Sequence, residues 1–433
     1  MKARGLIVRM AWIGPCYRPC YRACCCACSC APGLASGRFY SPYLNGRTMT
    51  SLAQSLHRWS SIDRLRGAVM ALMAVDHVRE YFFLYQQVAD PMNLATTSPE
   101  LFFTRLCSHL CAPVFVLLTG LSAWLRGNRP GGSRRDTAVF LAQRGAILIG
   151  LELTLVNFAW TFSLPPPMIY LQVIWAIGLS MLALAALIYL PRPLQWALAL
   201  LIIAGHNTLD GLHFRPDEAA FIPWAILHDR SVMLLGWGLR ARSSYPVLPW
   251  IGVMLLGYAL GPLYSAQVAG RSRRAWLTGL GLLALLGFGV LRQLNGYGDH
   301  AWVPGASPLH TLMAFLNVTK YPPSLQFLLL TLGLGLLALA LFERIAWGGP
   351  LADIGGAPMF FYLVHLYLLH LLHLLHWVLL HQVGPNHGDR FGLDEVWQIW
   401  ALAAGVVAVL YGPCRWFARV KRNKPSVRWL RYF

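Results

Sequence analysis

Acidic residues are scarce. Only 17 Asp and Glu stand against 36 Lys and Arg, and charged side chains of both signs make up 12% of the 433 residues. So little charge excludes an ordinary soluble domain, in which about a quarter of the residues are charged. Several motifs are missing too. There is no GxGxxG in a dinucleotide-binding context, no Walker loop, no GxSxG and no zinc-protease pattern, so the chemistries those motifs carry have no vehicle in this chain. The first 48 residues lack the uninterrupted apolar core of a cleavable signal peptide. No internal repeat follows Met49, which weighs against the repeat-built architecture of secondary transporters.

Apolar residues are what the chain has in plenty, 57% of it. They fall in runs of about 20, the length that crosses a bilayer as a helix. The runs are Arg64 to Tyr85, Phe102 to Leu125, Val139 to Phe162, Met168 to Leu190, Leu194 to Asn207, Tyr245 to Tyr264, Ala275 to Leu291, Ser324 to Phe342, Met359 to His381 and Val396 to Ala418. The expected fold is therefore all-α, a polytopic transmembrane helix bundle of about ten spans. Phe221 to Leu239 carries Asp229, Arg230 and several Gly; it reads as re-entrant or interfacial, with an eleventh span as the alternative.

The net charge of +19 does not point to nucleic acid, because the excess sits in loops and at the C-terminus. There it sets topology and meets lipid headgroups or phosphate-bearing ligands. Placing Arg126, Arg129, Arg134 and Arg135 inside puts Arg192, Arg271 to Arg274, Arg344 and the basic tail inside as well, with both termini cytoplasmic. Residues 49–418 are expected to form the membrane domain and 419–433 a basic tail. Residues 1–48 form an extension holding seven of the ten cysteines, in CYRPCYRACCCACSC. That spacing fits neither a zinc site nor a disulfide framework. A start placed too far upstream explains the extension more simply than a metal-binding or palmitoylated segment does.

Ionisable residues inside the spans are the candidate site, since they are costly at membrane depth and persist where they face a polar cavity. The first span, RLRGAVMALMAVDHVREYFF, carries Arg66, Asp76, His77, Arg79 and Glu80. Arg66 and His77 project within about 20° of each other, and Glu80 within about 60° of both. Asp76 points roughly 100° away from His77, toward a neighbouring helix. An imidazole titrates near working pH, so His77 is the candidate proton acceptor; the bland alternative is an ion network among Asp76, Arg79 and Glu80. The second span adds Arg105, His109 and a kinking Pro113. His109 is a second candidate base, or else it bonds a carbonyl freed by the kink. Arg144 and Glu152, about 80° apart on the third span, read as a structural ion pair.

Met359 to His381 holds five histidines, of which His365 is expected to face the cavity. No metal site is expected among them, because the span supplies no carboxylate or thiolate. HNTLDGLH, with Asn207, and GYGDH place polar groups in loops suited to a sugar-like ligand. KYPPS puts Lys320 before two prolines that delay the following helix, with Lys320 turned to the cavity or anchored at the interface.

RLRGAVMALMAVDHVREYFF, LATTSPELFFTRLCSHLCAPVFVLLTG, QRGAILIGLELTLVNFAW, HNTLDG, YPVLPWIGVMLLGYALG, LRQLNGYGD, NVTKYPPSLQFLLLTLG and FYLVH follow one another in order. Over about Asp63 to His381 the chain closely resembles the bacterial membrane proteins grouped with the catalytic domain of heparan-alpha-glucosaminide N-acetyltransferase. The resemblance implies a multi-pass acyltransferase of the bacterial inner membrane. Such an enzyme takes an acetyl group from cytoplasmic acetyl-CoA to an amine or hydroxyl of a sugar or glycan at the opposite face. His77, Asp76, His109 and His365 are then the catalytic candidates. Arg126, Arg129, Arg134 and Arg135 would meet CoA, and Glu80, Arg105, Asn207 and Lys320 the substrate. Membrane lipid and a glycan acceptor are the expected partners, no nucleic acid is expected, and association with further copies is left open. One departure stands out: no histidine lies between Val78 and Ser108, where the eukaryotic enzymes carry their catalytic one, and His77 takes the position of their asparagine. A proton-coupled transporter is the alternative class, because buried Asp, Glu, His and Arg also build proton relays.

Overall fold

The computed structural model describes residues 60–83, 88–236, 238–345, 347–381, 392–424 and 426–433. The cysteine-rich extension lies outside the described residues. In chain order the helices are α1 (Ser60–Phe82), α2 (Pro99–Ser108), α3 (Cys111–Gly127) and α4 (Arg134–Leu151). The last continues through a wide π turn, Glu152–Val156, into α5 (Asn157–Thr161). After a strand β1 (Ile169–Leu171) come α6 (Val173–Leu187), α7 (Arg192–Gly205) and α8 (Phe221–Leu227), then β2 (Val232–Leu234) and β3 (Arg240–Ser243). The chain goes on through α9 (Leu248–Leu260), α10 (Gly270–Leu294), α11 (Pro308–Leu316), α12 (Leu325–Phe342), α13 (Gly349–Gly355), α14 (Pro358–His381) and α15 (Val396–Asn423).

Among the described residues six helical stretches are long and apolar enough to cross a membrane: Pro99–Gly127, Arg134–Thr161, Gly270–Leu294, Leu325–Phe342, Pro358–His376 and Val396–Asn423. The count of ten is thus not reached on length and composition. Val173–Leu187 and Leu248–Tyr264 are apolar but shorter, and α7 has only 14 residues. α1 is 23 residues long; its charges keep it from the set. Phe221 to Leu239 contains a seven-residue helix and part of a hairpin, which rules out an eleventh span. The all-α expectation holds, with one small three-stranded sheet added to the helices: β1 runs parallel to β3 and β2 antiparallel to it, in the order β1-β3-β2.

Two helix pairs approach closely at glycines, which let backbones come together where lipid supplies no hydrophobic drive. Gly120 of α3 faces the Met254 carbonyl on α9, and Gly257 of α9 faces the Leu117 carbonyl on α3. Gly67 of α1 and Leu351 of α13 make the same kind of contact, answered by Gly355 against Asp63.

The break between α2 and α3 falls at His109 and Leu110. Pro113 explains it: the proline sits in the first turn of α3, and the carbonyl four residues back, with which its ring would clash, is that of His109. The predicted Arg144–Glu152 pair does not form. The buried Glu152 carboxylate instead accepts the backbone N–H groups of Gln172 and Trp175 at 3.4 and 3.1 Å, satisfying donors at the start of α6 that have no partner within the helix.

Candidate active site

A cavity of about 1520 Å³ runs along the inner face of α1. Arg66 and His77 both line it, and their 11-residue separation sets them about 16 Å apart along the helix axis. Around Arg66 the wall is basic, with Arg126, Arg129, Arg144, Arg192, Arg273 and Lys421. These side chains come from segments far apart in sequence, Arg144 from the middle of α4 and the others from loops and helix ends, and line one cavity. Arg66 is held by Asp63 at 2.9 Å, the Gly355 carbonyl at 3.2 Å and Ser122 Oγ at 3.1 Å. The Arg126 guanidinium lies 3.7 Å over the Phe140 ring. Arg144 has its Nε buried without a hydrogen-bond partner. The middle of the cavity is apolar, lined by Met73, Phe115, Ile174 and Ile177.

Its far end is formed by Asp76, His77, Tyr245, Lys320 and Tyr362. The buried Asp76 carboxylate accepts from Arg105 Nη1 at 2.8 and 2.9 Å and from Arg79 Nη2 at 3.2 Å, and lies 3.5 Å from Lys320 Nζ. Arg79 also meets Glu80 at 3.2 Å. His77 Nδ1 lies 2.6 Å from His365 Nε2, and the His365 Nδ1 lies 2.8 Å from the Phe361 carbonyl. Trp160 packs edge-on against the His77 ring, at 5.3 Å between centroids.

Lys320 is presented by a loop with several braces. Asp299 accepts from Thr319 N, Thr319 Oγ1 and Ser324 Oγ at 2.9, 2.7 and 2.6 Å. His206 Nε2 lies 2.8 Å from the Pro323 carbonyl, and Asn207 Oδ1 accepts from Leu325 N at 2.8 Å. Asp90 Oδ1 accepts from Lys320 N at 3.2 Å; burial pushes the Asp90 carboxyl above its ordinary range, against the pull of Arg105. Tyr321 OH meets Tyr245 OH at 3.1 Å, with the Arg230 guanidinium 4.9 Å over the Tyr321 ring.

Of the residues singled out in the sequence, His77, Asp76, Lys320, Arg126 and Arg129 line the cavity. His365 does not; it stands behind His77. Arg105 reaches the site only through Asp76, and Glu80 only through Arg79. His109 is buried against Phe327, both ring nitrogens without a partner, so it does not bond the carbonyl at the kink. Arg134 and Arg135 lie on the exposed first turn of α4, and Asn207 caps α12. Sequence reasoning had no place at this site for Arg66's cationic neighbours Arg144 and Lys421, or for Tyr245 and Tyr362. An arginine inside a span was the signal available for Arg144, and its assignment to Glu152 hid it. Three further α14 histidines pack on aromatic rings: His370 stacks on Phe162 at 3.9 Å, and His373 and His376 meet Phe82 edge-on.

No curated protein matches the chain. The family profile described as heparan-alpha-glucosaminide N-acetyltransferase, catalytic, matches residues 58–291. That stretch takes in α1, the basic loop after α3 and the His206 to Asp210 loop, while Lys320 and His365 lie beyond it. Because the match spans more than half of the 433 residues, this mainly helical membrane protein belongs to the heparan-alpha-glucosaminide N-acetyltransferase catalytic family.

Proposed function

We propose that the protein transfers an acetyl group from cytoplasmic acetyl-CoA to an amine or hydroxyl of a sugar or glycan at the extracytoplasmic face. The observation that carries this reading is the continuity of one cavity from a cluster of cations to His77. The cationic end suits the nucleotide phosphates of CoA, its apolar middle suits the pantetheine arm, and the roughly 16 Å from Arg66 to His77 gives that arm room to reach.

In the proposed reaction His77 takes the proton from the acceptor N–H or O–H as the new bond forms to the thioester carbonyl carbon. The carbonyl oxygen becomes an oxyanion, and the Lys320 ammonium, which lines the same end of the cavity as His77, is the cation available to it. Collapse of this intermediate breaks the C–S bond. The proton held by His77 passes to the departing thiolate, leaving CoA and the acetylated acceptor. Asp76 fixes the Lys320 side chain and takes no proton.

The test is incubation of the purified protein with radiolabelled acetyl-CoA and a panel of amino sugars and glycans. Acetylated product is the expected result. Protein that neither binds nor hydrolyses acetyl-CoA would overturn the reading.

A further inference from the structure

We infer that His365 is a positioning residue which locks His77 in the tautomer protonated at Nδ1, so that the Nε2 lone pair is the one left to the cavity. The inference rests on the reading of His77 as the base, but its own argument concerns only where two protons sit.

The argument starts at a backbone carbonyl, which only accepts. The Phe361 carbonyl lies 2.8 Å from His365 Nδ1, so that nitrogen carries a hydrogen and donates. His365 is fully buried, and its ring nitrogens face backbone carbonyls of its own helix, Phe361 foremost, on one side and His77 on the other. No carboxylate is among them, and a second proton would create a charge there without a counter-ion. The neutral ring therefore offers a lone pair at Nε2. The atom 2.6 Å from that lone pair is His77 Nδ1, which must donate. Neutral His77 then has its remaining lone pair at Nε2.

Ring geometry agrees. The two imidazole planes are 9° apart with centroids 4.9 Å from each other. With an N···N separation of 2.6 Å, the rings meet edge to edge in nearly one plane, which is a direct N–H···N bond and not a face-to-face stack. The opposite arrangement, Nε2–H on both rings, would set the His365 Nδ1 lone pair against the Phe361 oxygen. Two acceptors would then face each other in a buried site. The device has the logic of an orienting partner behind a general base, with a second histidine and a carbonyl in place of a carboxylate. It also gives His365 a role although it does not line the cavity.

The test has two readouts. Nitrogen-15 spectra of histidine-labelled protein in lipid bilayers report each ring's tautomer, with His77 assigned from the spectrum of the His77→Gln variant. The expected result is Nδ1–H at His77 in the native protein. An Nε2–H tautomer there overturns the inference whether or not acetyl transfer is ever observed. Conversely, the expected tautomer in a protein that transfers no acetyl group supports the positioning and counts against the proposed function alone.

Kinetics form the second readout. In His365→Gln the amide oxygen can still accept from His77 Nδ1, and kcat is expected to stay within about tenfold. In His365→Leu the acceptor is gone, and kcat is expected to fall about 10²-fold or more with the KM for acetyl-CoA unchanged. Native kcat in the leucine variant, or equal losses in both variants while both melt as the native protein does, overturns the inference.

Discussion

Arg105 and Asp76 meet deep in the protein, with one guanidinium nitrogen 2.8 and 2.9 Å from the two carboxylate oxygens. Their helices are α2 and α1, and α2 owes its separate direction to the break before Pro113. The proline thus does more than bend a span: it frees a short helix whose last turn carries Arg105 to Asp76. Arg79 and Lys320 approach the same carboxylate, so three cations share it. Asp76 is therefore the shared counter-ion of this cluster, with Glu80 on Arg79 as a second acid.

Removing Arg105 takes from the buried Asp76 carboxylate its shortest contacts and leaves it only the longer ones to Arg79 and Lys320. Arg105→Ala is expected to destabilise the protein by about 3–5 kcal/mol, read as a lower melting temperature in detergent. In the reciprocal variant Asp76→Asn, three buried cations lose the carboxylate they share, so the loss of stability should be at least as large, and kcat should fall as Lys320 loses its anchor. Arg105→Ala melting like the native protein would show that the pair contributes nothing.

His77→Ala is expected to abolish acetyl transfer while leaving CoA binding and the melting temperature near native. The imidazole lies about 16 Å along α1 from the basic end, too far to touch the nucleotide. Isothermal titration with CoA and a transfer assay on the same preparation check both halves. Full activity in this variant would move the role of base to another group.

The cations around Arg66 give a ranking that the linear sequence does not. Arg126→Ala and Arg144→Ala should weaken CoA binding, and more so at low salt than at high, since ionic strength screens such contacts. Arg134→Ala and Arg135→Ala, on the exposed turn outside the cavity, should change it little. Titrations at two salt concentrations separate the pairs, and equal effects from all four would place the nucleotide elsewhere.

Much of α1 was legible because helical periodicity acts within one segment. The shared face of Arg66 and His77 follows from 3.6 residues per turn and is the face that lines the cavity. Partners across the chain were not legible. His365 lies 288 positions from His77, and its pattern within α14 indicates a face but not the ring behind which it stands. Glu152 was assigned to Arg144 by angular proximity, whereas its true partners are N–H groups at a helix start, which carry no side-chain signature. Loop polarity misled for a related reason. Asp299 and Asn207 have the composition of ligand-binding loops, and the same donors and acceptors serve to hold Thr319 to Leu325 in place.

That bracing leads to a kinetic expectation for Asp299. Asp299→Ala removes three hydrogen bonds to a carboxylate, worth on the order of 2 kcal/mol net in holding the loop. Loosening should let Lys320 drift from Asp76 and lower kcat, while KM for acetyl-CoA, set at the basic end, stays near native. Steady-state kinetics with the donor varied would detect the split. Unchanged kcat would mean that Lys320 is positioned by Asp76 and Asp90 alone.

Helix spacing itself is open to test at Gly120. A Cβ there would run into the Met254 carbonyl, backbone that cannot rotate aside, so Gly120→Ala must part α3 from α9. Gly257 faces the Leu117 carbonyl in the same interface, and parting the helices loosens that contact as well. Overpacking of this kind costs about 1–3 kcal/mol. The effect should extend beyond stability, because α3 supplies Phe115, Thr119 and Ser122 to the cavity wall, and Ser122 also holds Arg66. Gly120→Ala is therefore expected to lower the melting temperature and raise the KM for acetyl-CoA together. Gly289 on α10 is the control: an added Cβ there meets nothing within 4 Å, and alanine is the better helix former by up to about 1 kcal/mol. Gly289→Ala should leave both quantities unchanged or raise stability slightly. If the two alanines behave alike, the close approach of α3 and α9 is not what sets the cavity's width.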